Sequence, residues 1–137
     1  MRNTEEMGNA EDAVSANTLG HFYQALAEQI GDFLHTNISR LSGHEIDLLS
    51  GDQDRLISYA NTFFSLSDKI AFENSATYFK GVSNATDAVN AALKKIDDIN
   101  KVINIAAGSI TLAASILSKN GKGILSSCDS ILTALKS

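Results

Sequence analysis

Apolar positions recur at three- and four-residue steps over most of the chain, the spacing that gathers side chains on one face of an α-helix. Leu19, Phe22, Tyr23, Leu26, Ile30, Phe33, Leu34, Ile38 and Leu41 follow it and predict a first helix over 18–42. Asn17 or Thr18 is the expected cap, and Gly43 the expected left-handed end. Ile46, Leu48 and Leu49 predict a single helical turn over 44–50 that stops at Gly51. Leu56, Tyr59, Ala60, Phe63, Leu66 and Ile70, widened by Ile57 and Phe64, predict a second long helix from Asp52 to at least Ala71. Asn74 and Ser75 are candidate breakers there. The pattern resumes at Tyr78 and Phe79, so the expected course is a kinked continuation to Gly81.

The clearest pattern follows. Val82, Ala85, Val89, Ala92, Ile96, Ile99, Ile103, Ala106, Ile110, Ala113 and Leu117 alternate steps of three and four without exception across 36 residues. Such a heptad seam is the pattern of helices that pack knobs into holes. It predicts one continuous helix about 50 Å long, opened by a capping-box-like pair, Asn84 and Asp87. Ser118 to Gly123 reads as a C-cap and turn, and Ile124, Leu125, Cys128, Ile131, Leu132 and Leu135 form one face of a last, short helix over 124–135. Residues 1–17 hold only Met7 and Val14 as large apolar side chains beyond the initiator, which predicts a flexible acidic tail before a single domain, 18–137. The expected architecture is therefore all-α, an antiparallel helical bundle of three long helices and a short C-terminal one.

Composition strengthens the helical reading. The 137 residues include no proline, the strongest helix breaker, and 44% are hydrophobic, enough for a core without staples. The single cysteine, Cys128, excludes an intramolecular disulfide and any multi-thiolate metal site. The polar, acidic start is unlike a secretory signal peptide, so the expected location is the cytoplasm, or the exterior by a route without a cleavable signal.

Charge is uneven. The net value is −5, made of −8 up to Leu93 and +3 from Lys94 onward. That balance lacks the basic footprint nucleic acid requires, so no nucleic-acid partner is expected. An acidic first half could instead steer a basic protein partner, as inhibitory or immunity-type proteins do.

No charge occurs from Val102 to Ser118, a run of 17 residues. Its apolar side chains cover roughly 220° of a helical wheel, with Ile105, Leu112 and Ile116 well off the seam of Ile103, Ile110 and Leu117. A helix this apolar needs cover on several sides, since each large side chain left in water costs about 1.5–3 kcal/mol. The cover can come from the chain's own bundle, from a second protein or copy, or from lipid. The leading expectation is a non-catalytic assembly or interaction protein, a homo-oligomer or a binder of another protein. It would use Ile103, Ile105, Ile110, Leu112, Ile116 and Leu117 together with Ile124 and Leu132 of the last helix. The alternative is a membrane-active protein that inserts a C-terminal hairpin flanked by Lys101, Lys119, Lys122 and Lys136.

Candidate chemistry is sparse, and no enzyme activity, small-molecule substrate, cofactor or metal is expected. His21, Glu28, Asp32 and His35 share a stripe of the first helix, and Asp32-x-x-His35 superficially echoes the carboxylate–histidine pair of bundle di-iron sites. No second pair exists, and the stripe lies off the face of Leu26 and Ile30, which predicts a solvent-facing line of charges. Cys128 falls mid-face on the last helix, the position of a buried structural thiol. Gly121-Lys122-Gly123 lacks the earlier glycine, the following hydroxyl residue and the preceding strand of a phosphate loop. Asn37-Ile38-Ser39 and Asn84-Ala85-Thr86 match glycosylation acceptors by chance spacing alone.

Overall fold

A computed structural model describes residues 16–66, 75–96 and 98–136, and of residues 75–79 the backbone only. The protein is an all-α helical bundle. Its helices are α1 (Ala16–Asn37), followed by a 3-10 turn (Ile38–Arg40), α2 (Gly43–Ser65), α3 (Ser75–Leu93), α4 (Ile99–Leu117) and α5 (Gly121–Lys136). The expected tail lies outside the described residues as far as position 15. Ala16 and Asn17 already belong to α1, so Asn17 and Thr18 sit inside the helix instead of capping it.

Gly43 opens α2 instead of closing α1. Ser42 accepts a hydrogen bond from the Glu45 backbone N–H at 3.1 Å, and the Glu45 carboxylate accepts one from the Ser42 N–H at 2.9 Å. This reciprocal box satisfies two otherwise orphaned donors and starts the helix well before Asp52. The helix then runs through Gly51, because one interior glycine costs only about 1 kcal/mol against alanine and the flanking Leu49 and Leu56 are fully buried. The separate turn over 44–50 is thus the first part of α2. At the other end α2 stops at Ser65, short of Ala71, and Leu66 is extended. There the Thr62 and Ser65 hydroxyls donate to the Ser58 and Thr62 carbonyls, the local competition that weakens a helix end. The expected kinked continuation falls partly on 67–74, outside the described residues; a new helix, α3, runs from Ser75.

The 36-residue third helix is in fact two. Asp98 accepts a hydrogen bond from the Asn100 N–H at 2.9 Å and caps α4 from an extended backbone conformation, while Lys95 N–H turns back to the Ala92 carbonyl. A single rod of about 50 Å would outrun α1 and α2, whose lengths are about 33–35 Å. Breaking at the polar stretch Lys94–Asp98 folds the two apolar halves into one core at the cost of a few backbone bonds, partly restored by the cap. Asn84 and Asp87 lie inside α3 and cap nothing.

The turn before α5 is also shorter than expected. Asn120 N–H bonds the Ser115 carbonyl at 2.9 Å and Lys119 N–H the Ile116 carbonyl at 3.0 Å, a Schellman closure with Lys119 at φ 57°. Asn120 Oδ1 accepts from Gly123 N–H at 3.1 Å, so α5 starts at Gly121.

Two antiparallel pairs organise the bundle. A Cβ on Gly20 would meet the Phe64 ring and one on Gly31 the Gln53 amide, each at 2.6 Å, so α1 and α2 run in opposite directions in close contact. Gly108 lies against Ile131, Gly123 against Ser115, and Lys101 Nζ reaches the Leu135 carbonyl at 3.5 Å, which sets α4 against α5 in the same way. Helix α4 also packs on α2, and α3 packs on α5. Tyr23 joins the pairs: fully buried, it stacks on Phe63 of α2 at 5.5 Å and donates its hydroxyl to the Ser109 carbonyl of α4 at 2.7 Å.

Candidate functional site

The expected interaction residues divide into two groups. Ile105, Leu112, Ile116 and Ile124 have no exposed surface and belong to the core, whereas Ile103, Ile110, Leu117 and Leu132 are half-buried at its edge. The large seam residues and the surplus have exchanged roles. With α2 and α5 both against α4, its buried arc centres on Val102, Ile105, Ser109, Leu112 and Ile116; of the heptad positions, the alanines Ala106 and Ala113 stay buried and Ile103, Ile110 and Leu117 flank the arc. The outward face of α4, Asn104, Ala107, Thr111 and Ala114, is small and uncharged.

The exposed apolar side chains lie elsewhere. On α2, Ile57 is 43% exposed and Phe64 37% exposed, seven residues apart and so on one face. They line an open groove against α1 with Ala27, Ala60, Gln53 and Asn61, and with Gln24 and Glu28 on the α1 side. Two glycines shape it. Phe64 seats over Gly20, its ring edge-on to His21 at 5.1 Å, and the Gln53 amide seats over Gly31 and donates to the Ala27 carbonyl at 3.1 Å. Between these two ends the facing residues are alanines, Ala27 and Ala60, too short to fill the space between the helices. The result is an apolar floor with polar ends.

Charge around the groove is one-sided. Glu28 lines it, and Asp54, three residues before Ile57, is exposed on the α2 rim. Among the described residues, no lysine or arginine lines the groove. The stripe His21, Glu28, Asp32 and His35 is exposed throughout and borders the α1 rim. Sequence reasoning placed Ile57 and Phe64 on the core face; the signal that pointed elsewhere was the pair of helix-interior glycines, Gly20 and Gly31, whose spacing of 11 residues equals that of Gln53 and Phe64.

Among the described residues, three titratable side chains are buried, Tyr23, Asp52 and Cys128. Cys128 is 4% exposed, and burial pushes its thiol up to about 11, the setting of an unreactive structural cysteine. Burial, with smaller contributions from Cys128 and Tyr59, holds the Tyr23 phenol well above its ordinary range. Burial also raises the Asp52 carboxyl, opposed by Arg55 at 3.7 Å. Among the described residues no group of three or more His, Cys, Asp or Glu side chains could hold a metal ion. Also among them, α4 is the one helix long and apolar enough to cross a membrane.

Comparison with known proteins finds no match to the chain among family models, curated proteins or solved structures.

Proposed function

We propose that this protein is a non-catalytic helical interaction module that binds another protein across the face of its bundle. The observation that carries this reading is the groove between α1 and α2. It gathers in one cleft two of the large apolar side chains that the described residues leave exposed, Ile57 and Phe64, at helical spacing. Ile57 and Phe64 kept in water forgo a stabilisation that a docked partner restores. The half-buried edge of Ile103, Ile110, Leu117 and Leu132 is a second surface, where a coiled-coil contact with another copy would form.

A membrane-active role is the other reading, favoured by α4 itself: 19 residues span about 28 Å, close to a bilayer's hydrocarbon core. Val102, Ile105, Leu112 and Ile116 are buried in the bundle, so insertion requires the core to open. Solution mass by light scattering across a concentration series, with and without liposomes, separates the readings. A protein that stays in the aqueous phase at all lipid concentrations supports the interaction module. Partitioning onto liposomes, with new hydrogen-exchange protection over 102–135, would replace it with the membrane reading.

A further inference from the structure

We infer that the groove between α1 and α2 receives a basic amphipathic helix from a partner protein. This rests on the reading of the bundle as an interaction module and specifies what it binds. From Gln53 to Phe64 the groove is roughly 17 Å long, about three turns of a docked helix. Its floor of Ile57, Phe64, Ala27 and Ala60 suits a partner that presents apolar side chains at i, i+3 or i+4, and i+7. A docked helix can satisfy its own backbone, so the groove need supply few hydrogen bonds, and Gln53 already spends its amide on the Ala27 carbonyl.

The rims select the sign of the partner. Glu28 lines the groove on the α1 side, and Asp54, exposed and one turn from Ile57, borders it on the α2 side, so a helix in the groove would meet a carboxylate on each flank. Residues 16–66 hold six acidic side chains against two basic ones, a net −4. A helix with Lys or Arg beside its apolar stripe gains attraction on both edges and is steered toward the site; one with Glu there is repelled.

The test uses two synthetic peptides of about 18 residues, long enough to form a helix on docking. Both carry the same leucine stripe and one tryptophan, with lysine on the polar face of one and glutamate on that of the other. The protein has no tryptophan, so peptide fluorescence reports binding directly. The lysine peptide should bind at least about tenfold more tightly than the glutamate peptide, with an advantage that shrinks as salt rises. Ile57→Gln, which leaves the charge unchanged, should weaken the lysine peptide by roughly tenfold. Glu28→Gln combined with Asp54→Asn should narrow the gap between the peptides.

Lysine-peptide binding undiminished by Ile57→Gln would mean general charge attraction and would overturn the inference. Equal binding of both peptides, lost in Ile57→Gln, would overturn the basic partner while the groove stayed an interaction surface. If neither peptide binds, the inference fails, and the mass of the protein decides the rest. Self-association abolished by Ile57→Gln would make a second copy the occupant, whereas a monomer at all concentrations would remove the groove from the function altogether.

Discussion

Helix α4 carries no charge from Val102 onward and leaves none of its large apolar side chains fully exposed; helix α2, richer in charge, leaves Leu48, Ile57 and Phe64 exposed. Their positions in the bundle explain the difference. Helix α4 has α2 on one side and α5 on another, so even its off-seam residues find cover. Helix α2 also has two neighbours, α1 and α4, but the small residues of α1 leave the space between them unfilled beside Ile57. Apolar content shows how much surface a helix must bury. Which surface remains for a partner depends on the neighbours, and on whether their side chains are large enough to close the gaps.

The sharpest test of this contrast is a pair of truncations. Leu112→Ala should destabilise the fold by about 2–5 kcal/mol, because Leu112 is fully enclosed and its removal leaves a cavity. Ile57→Ala, nearly equal in the atoms removed, should cost less than about 1 kcal/mol. Denaturant unfolding of both variants measures the gap. Similar losses would mean that Ile57 is covered in solution and that the contrast between α2 and α4 is false. Leu112→Lys and Ile116→Lys carry the same logic further: loss of the cooperative fold is expected, since each would bury an unpaired charge.

Alkaline pH probes the junction where the two pairs meet. The Cys128 thiol loses its proton in the unfolded chain near its ordinary value of 9.0 but in the folded protein only near about 11. Tyr23 is shifted in the same direction. Both groups are held neutral by burial, so the native state keeps protons that the unfolded chain releases. Stability is therefore complete below about pH 9 and falls as pH rises toward 11. A thermal midpoint unchanged across that window would mean that these side chains meet water in solution. Within the same junction, Tyr23→Phe should cost about 1 kcal/mol for the lost bond to the Ser109 carbonyl. Ser109→Ala should be neutral or slightly stabilising, since the Ser109 hydroxyl is buried and has no hydrogen-bond partner among the described residues.

The all-α class was legible because helical spacing is local: each run needs only its own residues to show a face. Helix boundaries were not, and α3–α4 shows why. Alternating steps of three and four can continue across a break when both halves keep the same register toward one core, so the seam from Val82 to Leu117 carried no mark of the turn at Lys94–Asp98. The mark was chemical instead, an aspartate directly before an apolar run, which competes with a seam only once the lengths of the neighbouring helices are known. The exchange of core and edge on α4 has a similar cause. A wheel gives the width of the apolar arc, but its buried centre is set by α2 and α5, which are remote in sequence. At the groove, Ile57 and Phe64 counted as ordinary wideners of a core face, and only the size of the residues opposite, Gly20, Ala27 and Gly31, shows that this part of the face stays open.

A last, small effect asks whether the two helix pairs share one stability. Lys119 closes α4 in the left-handed region, where a Cβ crowds the following carbonyl at a cost of about 1–2 kcal/mol. Glycine removes that strain but adds freedom to the unfolded chain, so Lys119→Gly should stabilise by a net of about 0.5–1 kcal/mol. The Schellman hydrogen bonds come from the backbone and survive the change. For a domain of this size the gain corresponds to a rise of roughly 2–4 °C in Tm. Because Tyr23 ties α1 and α2 to α4, the whole helical signal should shift together. A variant in which only part of the ellipticity moves would show that α1 and α2 unfold apart from α4 and α5. In that case the groove would sit on a separately melting hairpin, and the contrast between α2 and α4 would be one of stability as well as exposure.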